Sequence, residues 1–93
     1  MSVRISRSVD RQSGKAILRV EGSLTPDAAE LLKDICIDFI KRFRTDLIID
    51  VAGIDFLSED GALALRELKQ QKGISFEGCR LFTQRVIESG VPV

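Results

Sequence analysis

Val3 and Ile5 alternate with polar neighbours at the start of the chain, a period of two that predicts a short strand. Arg11-Gln12-Ser13-Gly14 reads as a hairpin turn, and Lys15 to Glu21 as the second strand. Within it Ile17, Leu18 and Val20 form a stretch apolar enough to be covered on both faces. Gly22-Ser23-Leu24 is expected to break that strand. Thr25 then stands as a helix N-cap, with Pro26 at the first helical position and Asp27 near the positive end of the dipole. From there to Phe43 the residues Ala28, Leu31, Leu32, Ile35, Phe39 and Ile40 recur at helical spacing, with Cys36 beside the stripe. Lys41, Arg42 and Arg44 load the end of this helix with positive charge, which suits its C-terminus.

The run Asp46-Leu47-Ile48-Ile49-Asp50-Val51 is apolar between acids and predicts a buried central strand. Ala52 to Leu57 is expected to be a loop. Residues 59 to 71 read as a second helix with Ala62, Leu65 and Leu68 on one side, ended by Gly73. Ile74 to Cys79 reads as a further strand. Leu81 to Ser89 reads as a third helix, with Phe82, Val86 and Ile87 inward and Gly90 as its stop. The order is β-β-α-β-α-β-α. Two successive right-handed crossovers give parallel neighbours, whereas the tight first turn makes the first strand an antiparallel edge. The expected fold class is α/β: a small mixed sheet of about four strands with helices packed on it. With no repeat, linker or low-complexity stretch, residues 1 to 93 are expected to form one domain.

Composition narrows the function. The 93 residues are 44% hydrophobic and 30% charged, with 14 basic and 14 acidic side chains, so no net field draws in nucleic acid or an anionic membrane. The basic end of the first helix lacks interleaved aromatics, and the chain contains neither Tyr nor Trp for base stacking. No apolar run approaches the roughly 20 residues that cross a bilayer, and the first ten residues do not resemble a signal peptide. A cytoplasmic location is expected. Cys36 and Cys79 are far apart in apolar surroundings, and the chain has no His and no CxxC pair, so no metal or other cofactor is expected. Two buried thiols are favoured over a disulfide.

The remaining chemistry concentrates in IDFLSEDGALAL, residues 54 to 65. Ser58 precedes a helical apolar pattern and is a natural N-cap for the amide of Asp60 or Gly61, with Glu59 and Asp60 in the first turn. Catalysis lacks its parts. A nucleophilic Ser needs a base, and there is no His. Adjacent carboxylates on a helix start point about 100° apart and do not flank a common substrate. No phosphate-cradling glycine loop follows any strand. The chain is expected not to be an enzyme.

Taken in order, VEGSLT, the acid-bearing helix, LIIDVAGIDFLSEDGALALRELKQ and RVIESGV resemble a STAS domain, the fold of bacterial anti-sigma factor antagonists. In that family the second helix typically opens on Asp-Ser-Ser-Gly or Asp-Ser-Thr-Gly. The resemblance implies a switch, in which a partner that is both kinase and anti-sigma factor phosphorylates the Ser after the Asp. The unmodified form binds that partner and frees a sigma factor. Aligned on Gly61, this chain departs from the pattern: Ser58 stands for the Asp, Glu59 for the modified Ser, and Asp60 for the residue after it. Glu59 cannot be phosphorylated and carries a fixed negative charge of the same sign as a phosphate.

Three readings follow: a fixed protein-interaction module, an antagonist phosphorylated one position early at Ser58, or a STAS subunit of a transporter, lipid-trafficking or sensor complex. The last could use a small-molecule cleft at the strand C-termini. The expected partner-binding set is Leu57, Ser58, Glu59, Asp60, Gly61 and Leu63, with Leu57 and Leu63 as exposed apolar residues beside an acidic tip. Phe56 is expected to complete the core. The partner is expected to be a protein: an anti-sigma factor of kinase type, a sensor or a transporter component. An open sheet edge near the C-terminus would favour weak self-association.

Overall fold

A computed structural model describes residues 3 to 78. The third helix expected at 81 to 89 and Cys79 lie outside the described residues. Six elements run in the order β1 (Val3–Val9), β2 (Ala16–Leu24), α1 (Pro26–Phe43), β3 (Leu47–Leu57), α2 (Glu59–Lys69) and β4 (Ile74–Glu77). They form one sheet of strand order β1-β2-β3-β4. The pairing of β1 with β2 is antiparallel, and the other two pairings are parallel, as the sequence predicts.

The hairpin turn is held by Asp10, whose carboxylate accepts from the Gln12 amide at 3.2 Å and the Ser13 hydroxyl at 2.7 Å. These bonds hold the Asp10 carboxyl below its ordinary range, the Ser13 hydroxyl contributing most. Helix α1 starts where Thr25 accepts the Ala28 amide at 3.3 Å. It ends where Arg44 turns into the left-handed region (φ 51°) and donates to the Ile40 carbonyl. Both crossovers progress in one direction across the sheet, so right-handedness puts α1 and α2 on the same face. The side chains agree: Ala16, Leu18 and Val20 alternate inward on β2 and Leu47, Ile49 and Val51 on β3, and they share one core with Leu32 and Cys36 of α1 and Leu65 and Leu68 of α2. Cys36 is fully buried, and the loss of solvation pushes its thiol up to about 12.

Four local expectations are corrected. Ile17 is only half-buried, because it points to the sheet face that neither helix covers. Leu31 is half-exposed, off the buried face of α1 that Ala28, Leu32 and Cys36 form. Gly22-Ser23-Leu24 does not break β2, and 52 to 57 is not a loop. Both stretches continue the parallel ladder of β2 with β3. The cause is a pair of bulges. Relative to β2, β3 takes one extra residue between the pairs Arg19–Asp50 and Glu21–Gly53, and again between Gly22–Ile54 and Ser23–Phe56. Gly22 (φ 94°) supplies the left-handed backbone there. Each extra residue upsets the two-residue alternation, which is why this stretch does not read as a strand.

Candidate functional site

Extension of β3 through Leu57 delivers the Ser58-Glu59-Asp60-Gly61 motif to the C-terminal end of the parallel strands. Adjacent residues on a strand face opposite ways, and here Leu57 turns into the core (9% exposed) while Phe56 turns out (45%). Both expectations are therefore reversed. Leu57 is not part of an exposed patch, and Phe56 is not a core residue. Leu63, on the outer side of α2, is exposed at 42%, as expected. Glu59 and Asp60 are exposed in the first turn of α2.

Ser58 is the N-cap of α2, and it does more than cap. Its Oγ accepts the Gly61 amide at 2.9 Å and donates to the Leu24 carbonyl at 2.8 Å. The Ser58 amide donates to the same carbonyl at 3.1 Å. Leu24 is the last residue of β2, directly before the Thr25 cap of α1, so one backbone oxygen ties together the starts of both helices. Gly61 packs against this joint: a Cβ there would lie 2.6 Å from the Leu24 oxygen, a backbone atom held in the ladder. Gly61 is buried and acts through close approach, presenting no side chain to a partner. Ser23 is buried beside this joint and donates to Asp55 at 3.4 Å.

Outward from the joint, a groove runs between the first turns of α1 and α2, with Pro26, Ala29 and Ala64 as its small floor and Asp60 and Leu63 on its rim. Asp27 and Glu30 line the α1 side. Lys33 of α1 and Glu67 of α2 close it with an ion pair, and the Glu67 carboxylate raises the Lys33 ammonium above its ordinary value. The negative helix start is thus flanked in sequence by two exposed apolar residues, Phe56 before it and Leu63 after it. Asp27, Glu59 and Asp60 sit in the first turns, at the positive ends of the helix dipoles, where such acids contribute about 0.3–1 kcal/mol. No helix among the described residues is long and apolar enough to cross a membrane.

This arrangement defines a mixed α/β fold with an antiparallel edge and a helix-opening motif at the strand C-termini. No family model matches the chain, and no curated protein matches it. A solved structure does: the STAS domain of an antisigma-factor antagonist from Rhodobacter sphaeroides, 22% identical, with a TM-score of 0.59. The match covers 82% of this chain and 86% of that one. The fold is that of a STAS domain, as the motifs suggested.

Proposed function

We propose that this chain is a non-catalytic, cytoplasmic protein-interaction module of the antagonist kind, docking its partner with Phe56, Glu59, Asp60 and Leu63. Glu59 supplies a standing charge of −1 where the antagonist pattern carries a serine that is switched to about −1.5 to −2. The observation that carries this reading is a division of labour at the start of α2. The Ser58 hydroxyl is consumed by two hydrogen bonds of the fold, whereas Glu59 and Asp60 are exposed, flanked in sequence by the exposed apolar residues Phe56 and Leu63. Apolar contact would supply affinity and the carboxylates selectivity. The likeness to a solved antagonist STAS domain supports the same kind of role. Leu57 and Gly61 support the site from within, and Ser58 is its scaffold.

Modification at Ser58 is the weaker reading, because a phosphate there would forfeit the bond to Leu24 and crowd a joint shared by two helices. The deciding experiment uses the wild-type chain and the variants Glu59→Lys and Leu63→Ser as baits in lysate of the source cells. A partner held by the wild type and lost by both folded variants is the expected result. Its identity as an anti-sigma factor, a sensor or a transporter component assigns the assembly. Phosphate on Ser58 in protein recovered from those cells would replace the fixed-charge reading with a switch.

A further inference from the structure

A second concavity lies away from this surface, at the opposite end of α1. The C-terminal half of α1 overhangs edge strand β1, and the space between them has a volume of about 480 Å³. Its floor is apolar and closed, since Leu18 and Leu47 beneath it are 4% and 1% exposed. Ile5 forms the strand wall, and Ile35 and Phe39 the helix wall. Phe43 lines the C-terminal end of the helix wall, its ring tilted against that of Phe39 with centroids 4.8 Å apart, yet it remains 54% exposed.

The rim is cationic. Arg42 is partly neutralised by Asp38 at 3.6 Å. Arg7, on β1, has no ion-pair partner among the described residues. An apolar trough with one uncompensated guanidinium at its lip suits a molecule with an apolar body and one anionic head. The dimensions fit a small ligand better than a protein segment. The helix wall from Ile35 to Phe43 spans about 12 Å at the rise of an α-helix. The volume falls within the roughly 300–1,000 Å³ of small-molecule sites, which are mostly apolar with a few polar groups fixing orientation.

We propose that the trough between β1 and the C-terminal half of α1 binds a fatty carboxylate, its chain laid over Ile5, Leu18 and Phe39 and its head paired with Arg7. The pairing is bidentate, as guanidinium and carboxylate geometry allow, and Phe43 closes over the chain. This site is independent of the partner surface at Glu59.

The test is a titration of the isotope-labelled full chain with decanoate, decanol and decyltrimethylammonium, each below its micelle-forming concentration, followed by amide chemical shifts. Decanoate should move the amides of residues 5 to 7 and 35 to 43 saturably, and decanol should bind about fivefold more weakly for want of the ion pair. Arg7→Gln should reduce decanoate to the level of decanol, and Phe43→Ser should weaken both, with the remaining amide spectrum unchanged. Absence of a saturable response would overturn the proposal, as would equal affinity for all three head groups or an Arg7→Gln variant that binds decanoate normally. Groove shifts that follow protein concentration alone would assign the trough to a second copy. A response confined to anionic vesicles would assign it to a membrane surface. Either result excludes a free fatty carboxylate as the occupant.

Discussion

The Ser58 hydroxyl stands 2.8 Å from the Leu24 carbonyl and donates to it while accepting the Gly61 amide at 2.9 Å. A serine that fills both roles in one geometry is part of the framework. Ser58→Ala removes the cap and one of the two donors to Leu24, and should destabilise the protein by about 1–2 kcal/mol in urea unfolding. The backbone donor at 3.1 Å survives, which sets the ceiling. Ser58→Asp keeps a capping acceptor but loses the donor, so it should fall between wild type and Ser58→Ala. A Ser58→Ala variant as stable as wild type would show that the hydroxyl is free for other duties.

Gly61→Ala tests the same joint from the other side. Inside a helix, Ala is ordinarily better than Gly by up to about 1 kcal/mol. Here the added methyl would meet the Leu24 oxygen at 2.6 Å, and that atom cannot rotate away. Overpacking should win, with a net loss of about 1–3 kcal/mol in the midpoint-derived stability.

Leu57 and Phe56 are neighbours with opposite fates, and alanine at each should separate them. Leu57→Ala empties a buried site and should cost about 2–5 kcal/mol. Phe56→Ala removes an exposed ring and should change stability by no more than about 0.5 kcal/mol. In the pull-down the ranking should reverse among folded variants, because only Phe56 belongs to the proposed docking surface.

Cys36 gives the protein a sensitivity to alkaline pH. Its folded thiol is pushed up to about 12 from an ordinary 9.0, by burial. Above about pH 9 the unfolded thiol therefore sheds its proton while the folded one keeps it, so stability falls as pH rises, at up to about 1.4 kcal/mol per pH unit until about pH 12. Cys36→Ala lacks this contribution. The stability difference between wild type and Cys36→Ala, measured by urea unfolding, should shrink from about pH 8 to about pH 10.5. A difference constant over that interval would place the thiol in contact with solvent.

Much of this was legible in the chain. The helix starts at Thr25 and Ser58 are local chemistry, a capping oxygen before an apolar period, and local chemistry survives folding. The strand order followed from connection lengths and handedness. What was not legible is long-range. The β3 bulges are defined only against β2, so residues 52 to 57 looked like a loop and the facing of Phe56 and Leu57 was read the wrong way. The partnership of Ser58 with Leu24 spans 34 positions of sequence, and no periodicity encodes it. The trough under α1 depends on how far that helix overhangs β1, which the helical spacing of Leu31, Ile35 and Phe39 does not reveal.

The paired lengths of the strands carry a last consequence. β4 accompanies β3 only from Leu47 to Asp50, whereas β2 accompanies it to Leu57. Among the described residues, the outer half of β3 is therefore paired with β2 alone, and Phe56 lies exposed near its end. In this half the inward residues Val51 and Leu57 belong to the core, so only outward positions such as Phe56 can drift without loss of the fold. Amide protons of this outer half should exchange sooner than those of Leu47 to Asp50, which have a strand on both sides, so tolerance of substitution alternates along the strand residue by residue.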